Sequence, residues 1–501
     1  MTYLPGLMPY VRSGTTEGDL NYLKDVFVTP AQLADVCSIE PGSMRVLVGN
    51  KGAGKSALVE WLKRTAIDAK LPCVLLRPDQ LADMVAPTSS DLATLKGYFY
   101  EKLLRTVASE VGSQITSYLP LVGNQATLYD HAVAQGTTRG DVITRTLPLL
   151  AALSRPATGL DADKLFAQTK SKMPNAQLRE ALNSHLLNKT KSSFLLLIDD
   201  TDQLATPDDK AQLNKIWALI LAVRRLAMDC NSVRPIVTLR SSVWARLSYE
   251  SAGQRDQVDH IRPLSIHLRS SDPTIVEIVE KRMRTASLAN RIPILTPYGP
   301  YFEGRDVLLP DSDQRRSWPD FISKSARERP RDALQLIKSM IEAALDQSHQ
   351  KIGDDDASRA MHVYSSERVD DVVNEYAMDC PAIREVIESF YSGNFDMSFE
   401  ELREHLGRTL GVTSIQLRGI SIQNRDEHLI QLLALLHEVG FINARLPDKT
   451  KPKGFDHKNF SDDPKFVRYS NWNNLQASNW EVHPAFRSHL INIRIAKEKR
   501  R

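Results

Sequence analysis

Val46-Leu47-Val48-Gly49-Asn50-Lys51-Gly52-Ala53-Gly54-Lys55-Ser56 is an apolar run that breaks into the pattern G-x-x-x-x-G-K-S. Two glycines, a lysine and a hydroxyl at this spacing make a phosphate-binding loop. Gly49 and Gly54 are expected to let the backbone turn back tightly, so that the amides of Asn50, Lys51, Gly52 and Ala53 point inward at an anion. Lys55 carries a point charge to the β- and γ-phosphates, and the Ser56 hydroxyl ligates Mg²⁺. Ala57 to Ala66 reads as a helix whose positive N-terminal end faces the phosphates. A buried-strand pattern before the loop and an amphipathic helix after it supply the setting that such a loop requires. The ligand this implies is a nucleoside triphosphate.

The surrounding 501 residues are enough for two or three domains, each with its own core. Hydrophobic content of 42% and charged content of 25% are ordinary for a globular protein. A formal net charge of +3 forces no partner, so a nucleic-acid surface would have to be local. Cys37, Cys73, Cys230 and Cys380 lie far apart with no C-x-x-C spacing, as expected of thiols in a reducing compartment. Met1 to Gly18 lacks a signal-peptide layout, and no apolar run approaches membrane-spanning length. The expected location is the cytoplasm, with no membrane partner.

Strand-like and helical patterns alternate through the first half of the chain. After a lead-in of residues 1–40, where Tyr22 or Phe27 could touch a base or simply fill the core, the core domain spans 41–271. Its further strands are Cys73 to Arg77, Phe194 to Ile198 and Pro235 to Leu239, with a fifth expected at 259–267. Helices are expected at 91–112 and about 207–228, with a helical insertion at about 113–190. This alternation predicts a doubly wound parallel α/β sheet, whose ligands sit at the carboxyl ends of strands. From 272 to 379 helices dominate and suggest a lid. Residues 380–501 read as a winged helix: helices at 398–409 and 428–439, then strands at 441–446 and 466–469.

Phe194 to Ile198 ends in Asp199-Asp200-Thr201-Asp202. Asp199 is expected to hold Mg²⁺ with Ser56, since phosphoryl transfer depends on positioning and charge neutralisation. Asp200 is the candidate for orienting the attacking water, with Asp202 as its substitute or a helix cap. Thr238 and Arg240 end the next strand, where they could sense the γ-phosphate. Arg329 and Arg331 flank Pro330 at a helix start, a rigid turn that could aim Arg331 at the nucleotide; an Arg331–Asp332 ion pair is the alternative. Among Arg246, Arg255 and Arg262, Arg255 is the candidate for an arginine that acts on a neighbouring subunit.

Gly49 to Leu58, Leu197-Ile198-Asp199-Asp200, Leu239-Arg240-Ser241 and Arg329-Pro330-Arg331-Asp332 occur together in this order. With His483-Pro484-Ala485-Phe486-Arg487 near the end, they resemble the bacterial P-loop ATPases related to the AAA+, origin-recognition and STAND proteins. The resemblance implies a P-loop core followed by a helical lid and a C-terminal winged helix. It implies ATP-driven conformational switching, Mg²⁺, a homo-oligomer, and a setting such as anti-phage defence. Aspartate at 200, where many such ATPases carry glutamate, departs from the pattern and bears on the rate of hydrolysis. No nuclease, protease or deaminase constellation accompanies the loop, so a switch of this kind would act through a separate effector protein. The rival is an origin-recognition or loader-type ATPase that reads DNA with its winged helix. Lys449, Lys451, Lys453 and Lys458 and a basic tail at Arg494, Lys497, Lys499, Arg500 and Arg501 favour it, while Asp448, Asp456, Asp462 and Asp463 interrupt the wing. A third alternative is a scaffold that holds ATP without turning it over.

Overall fold

The apolar run before the loop becomes strand β1 (Arg45–Gly49), with four of its five residues buried. In the computed structural model the described residues are 2–12, 16–77, 91–115, 121–137, 173–190, 193–201, 210–249, 255–293, 295–310, 312–451, 454–460 and 462–500. By their contacts they fall into two units: Ala31–Val48 with Leu58–His267, and Met1–Pro30 with Gly49–Ala57 and Leu268–Arg501.

The first unit is built on a five-stranded sheet. Its strands are β1, β2 (Cys73–Leu76), β3 (Phe194–Ile198), β4 (Val233–Arg240) and β5 (Ser265–His267), in the order β2-β3-β4-β1-β5. The β2–β3, β3–β4 and β1–β5 pairings are parallel. Parallel strands of such a sheet are covered on both faces, which explains why β3 reads as a continuous apolar run and the middle of β4 is buried. Helices Leu92–Ser113 and Lys210–Asp229 pack together and bury Leu103, Leu104, Val107, Trp217 and Ile220 in this core. Asp91 caps the first of them by accepting the Thr94 N–H at 2.8 Å. Within the expected insertion, helices Asn124–Ala134 and Asn175–Ser184 are described, followed by a π-helical turn, His185–Thr190. Its middle part lies outside the described residues, as does Asp202.

The fifth strand is shorter than the sequence suggests. Residues Arg255–Ile261 form a helix and Arg262–Leu264 a 3₁₀ turn, leaving Ser265–His267 as strand. Pro263, without an N–H and with fixed φ, suits the tight turn and not a paired strand. Arg255 therefore opens a helix instead of preceding a long strand.

In the second unit the lead-in packs on helix Asp272–Ala289: Leu4, Leu7 and Val11 share a core with Ile275, Val279 and Met283. Arg282 from that helix ion-pairs with buried Asp19 and donates to the Tyr10 carbonyl. Tyr22, a candidate base neighbour, has its hydroxyl 2.6 Å from Pro9 O and 2.9 Å from Asp19 Oδ1, two acceptors for its one proton, so its polar end is engaged within its own segment. Helices Trp318–Ser325, Pro330–Asp346 and Asp354–Tyr376 follow, with a hairpin of β6 (Asp306–Leu308) and β7 (Arg315–Ser317).

The C-terminal part has helices Ile383–Ser389, Phe399–Val412 and Asp426–Glu438, strand β8 (Asp396–Ser398) and a small hairpin of β9 (Gln416–Leu417) and β10 (Ile420–Ser421). Strands β11 (Ile442–Pro447), β12 (Phe455–Lys458) and β13 (Asn479–Val482) join β8 in an antiparallel sheet ordered β12-β11-β13-β8. This is the winged-helix layout, closed by helix Pro484–Glu498. The strand expected at 466–469 does not form, and its place against β11 is taken by β12. Phe466 is buried beside Trp480 and His437, and Val467 is buried as well, so their apolar character reflects the core and not a strand.

Candidate nucleotide site

Residues Asn50 to Gly54 connect β1 to helix Lys55–Asp68. The left-handed positions of this loop are Gly52 (φ 80°) and Gly54 (φ 91°). Gly49, expected to supply one of the tight turns, has no positive φ. It ends β1, where a Cβ would lie 3.2 Å from Leu268 O, so close approach is what asks for glycine there. Lys55 is buried, and its ammonium donates to Gly49 O at 2.9 Å and Asn50 O at 3.1 Å. The loop is thus wrapped around the charge that a phosphate would meet. Lys55, Ser56 and Ala57 begin the helix, where backbone N–H groups have no acceptor four residues back and favour an anion.

The helix start at Arg329-Pro330-Arg331 lies beside this loop. A Cβ at Gly52 would be 3.2 Å from the Arg331 Cβ and 3.6 Å from that of Arg329. Arg331 Nε is buried without a hydrogen-bond partner. Two consecutive residues before this start, Arg327 (φ 49°) and Glu328 (φ 56°), take the left-handed conformation, a strain of about 1 kcal/mol or more each. An ionic clamp holds them. Asp332 does not pair with Arg331; it binds Arg327 at 2.7 Å and Arg368 at 2.9 Å. Burial alone would raise the Asp332 carboxyl, but the guanidiniums of Arg327, Arg368 and Arg329 outweigh it and hold the group below the ordinary range. The Arg327 guanidinium also stacks 5.2 Å from the Phe486 ring centre, which gives Phe486 of the His483–Arg487 stretch a packing role.

In the sheet unit, Asp199 follows the last residue of β3 and is buried. Its Oδ1 accepts the Thr238 hydroxyl at 2.7 Å. Asp200 takes φ 47°, and its N–H donates to the same Thr238 oxygen at 2.9 Å. Aspartate and asparagine are the non-glycine residues that best tolerate this conformation. That gives a backbone reason for aspartate at 200. Thr238 is fully buried, and Thr201 donates to its carbonyl at 2.7 Å. The Thr238 hydroxyl is thus engaged with both members of the acidic pair. Arg240 ends the same strand two residues on.

The three candidates for an arginine acting across subunits are placed differently. Arg246 is buried in helix Ser241–Tyr249, and exposed Arg262 pairs with Asp259 at 3.1 Å. Arg255 is the first residue of its helix, and its side chain is outside the described set. In the wing, Lys458 and Lys451 both face Asp456, at 2.8 and 3.6 Å, and Lys453 and Arg501 lie outside the described residues. Among the described residues no cluster of three or more His, Cys, Asp or Glu side chains forms a metal site, and no helix is long and apolar enough to cross a membrane.

Residue types and spacing had already marked Thr238 and Arg329, but not their tasks. Arg368 carried no signal: it reaches Asp332 from 36 residues away in sequence.

Residues 274–373 match the FunZ-associated C-terminal helical domain. This covers the helical region after the sheet unit. The chain is 23% identical over 475 residues to the putative transposon gamma-delta 80.3 kDa protein of Escherichia coli (strain K12), an alignment covering 90% of this chain and 64% of that protein. The chain thus spans less than two thirds of that relative's length. Among solved structures it is similar to the ORC2 protein of Aeropyrum pernix (TM-score 0.37, 11% identity, 97% of this chain and 95% of that one). It is also similar to CDC6P of Pyrobaculum aerophilum (TM-score 0.32, 12% identity, 96% and 95%). The RuvB Holliday junction branch migration motor of Thermotoga maritima gives a TM-score of 0.29 at 14% identity, over 90% and 96%. At these values no residue role passes from those proteins to this chain.

Proposed function

We propose that this protein is an ATP-binding, ATP-hydrolysing switch of the AAA+-related P-loop kind. The observation that carries the reading is the loop itself: Lys55 buried among its carbonyls, left-handed Gly52 and Gly54, and the Arg329-Pro330-Arg331 helix start beside it. The amides of Asn50 to Ala57 and the Lys55 ammonium bind the phosphates, and Arg331 supplies a further cation. Mg²⁺, when bound, neutralises phosphate charge; Ser56 offers it a hydroxyl and Asp199 a carboxylate. Asp200 orients the attacking water, and Arg240 and a neighbour's Arg255 stabilise charge as it develops.

The proposed output is a change in self-association, passed on by residues 380–501 to a partner. A protein partner is favoured over DNA because Asp456 neutralises two of the wing's lysines. Control of a separate effector in anti-phage defence is the finer form of this reading and stands on the sequence resemblance alone. Calorimetry with ATP and Mg²⁺ tests the core of it: wild type binds about one equivalent, and folded Lys55→Ala binds none. Equal affinity in the two overturns the loop assignment. Light scattering with a non-hydrolysable analogue tests assembly, and a salt titration with nonspecific duplex tests the DNA alternative.

A further inference from the structure

We propose that the C-terminal unit carries a second anion site, which takes a ligand bearing a di- or polyphosphate and adjoins the triphosphate loop at Asn50 and Arg329. The site is a cleft of about 680 Å³ between the helices after residue 268 and the winged-helix sheet, with Asn50 of the loop on its rim. Three helix N-termini open onto it: Ser271-Asp272-Pro273 begins helix Asp272–Ala289, Arg329 precedes helix Pro330–Asp346, and His483-Pro484 begins helix Pro484–Glu498. Each contributes roughly half a positive charge in its first turn, and together they favour an anion strongly.

The charged side chains of the lining agree. Five carboxylates face the cleft, and each is already engaged. Asp272 holds Lys324, Asp396 holds Arg445, Glu438 holds Arg418, and Glu328 accepts from Asn459. Glu481 lies 3.5 Å from both Arg487 and His457. Two guanidiniums of the lining are left over. Arg329 is 8% exposed and Arg316 half-buried, and neither guanidinium has a hydrogen-bond or ion-pair partner among the described residues, Arg329 feeling the Asp332 carboxylate only at longer range. Buried Arg327 adds an Nη1 with no partner. A buried guanidinium without an acceptor is costly, and its planar fork matches phosphate oxygens.

The probe is inorganic pyrophosphate, titrated calorimetrically into the full chain saturated with a non-hydrolysable ATP analogue. The expected result is one further equivalent bound, with affinity lowered about tenfold or more by Arg316→Glu. Arg316 lies in a short hairpin strand, where its backbone pairs with Val307 and its side chain has no described partner, so a side-chain replacement spares the fold; Arg329→Ala, at a buried position, is the second variant. No uptake by the analogue-saturated wild type, or uptake unchanged in Arg316→Glu, overturns the proposal. A chain that refuses the analogue yet takes up pyrophosphate in an Arg316-dependent way sinks the ATP reading and keeps this site. A 5′-triphosphorylated oligonucleotide that displaces pyrophosphate where its 5′-hydroxyl twin does not assigns the source as a strand end. Displacement by neither assigns a small phosphorylated molecule.

Discussion

Thr238 donates its hydroxyl to Asp199 Oδ1 at 2.7 Å, and the same oxygen accepts the Asp200 N–H at 2.9 Å. One buried hydroxyl thereby fixes the carboxylate proposed for Mg²⁺ and the left-handed backbone of the residue proposed to orient water. Thr238→Val keeps the shape and removes both bonds. Leaving these groups unsatisfied should cost about 1–3 kcal/mol of stability in urea denaturation. Turnover should fall about tenfold or more while ATP affinity changes little. Wild-type turnover in the valine variant would show that Asp199 needs no such support.

Asp200→Asn should leave the fold intact, because asparagine tolerates φ 47° as readily as aspartate. ATP binding should persist and steady-state hydrolysis should fall about a hundredfold, the usual worth of a positioned base. Asp200→Glu should destabilise by about 1 kcal/mol, since a longer side chain gains nothing locally in the left-handed region. Turnover in Asp200→Asn within a factor of about two of wild type would move the role to another residue.

Gly52→Ala meets two obstacles. Its φ of 80° is strained for any side chain, and the new methyl would stand 3.2 Å from the Arg331 Cβ. The helix start or the loop must give way, at about 1–2 kcal/mol. A matching loss of ATP affinity, about five- to thirtyfold by calorimetry, is expected. Unchanged affinity would mean that the Arg331 helix start contributes nothing to the bound state.

Acid should weaken the C-terminal unit. Burial holds the imidazoles of His405, His437 and His483 below their ordinary value, His405 at about 4 with Arg408 adding to the effect. The unfolded chain takes up these protons near pH 6.5, whereas the folded chain does so only at lower pH. From about pH 6.5 down to 4 the unfolded state therefore binds more protons at His405, and stability falls as pH falls, by up to about 1.4 kcal/mol per unit for that group, with His437 and His483 acting in the same direction. The depressed Asp332 carboxyl adds a loss further down, as pH drops through its folded pKa. Urea midpoints at pH 7.5, 6 and 5 should decline in that order, less steeply in His405→Asn. A flat profile would contradict the buried neutral state.

The parallel sheet was legible because β1 and β3 are apolar runs ending in polar residues and β4 is largely apolar, the composition expected of strands covered on both faces. Helices Leu92–Ser113 and Asp426–Glu438 were legible from their apolar spacing. The strand expected at 466–469 was not there, because burial by packing and burial in a sheet leave the same mark on two adjacent apolar residues. Phe455–Lys458, which does form a strand, alternates too weakly to be seen. The loop pattern and the acids after β3 were likewise plain from local sequence. By itself the sequence named the residues of the proposed site: a phosphate-loop pattern, two carboxylates, and arginines about a proline, since each depends on residue type and short spacing. Only the tertiary structure decided what holds them. Thr238 serves Asp199 across neighbouring strands, Arg368 reaches Asp332 from another helix, and three helix ends share one cleft, because such partners are chosen by distance in space, and spacing along the chain does not encode it.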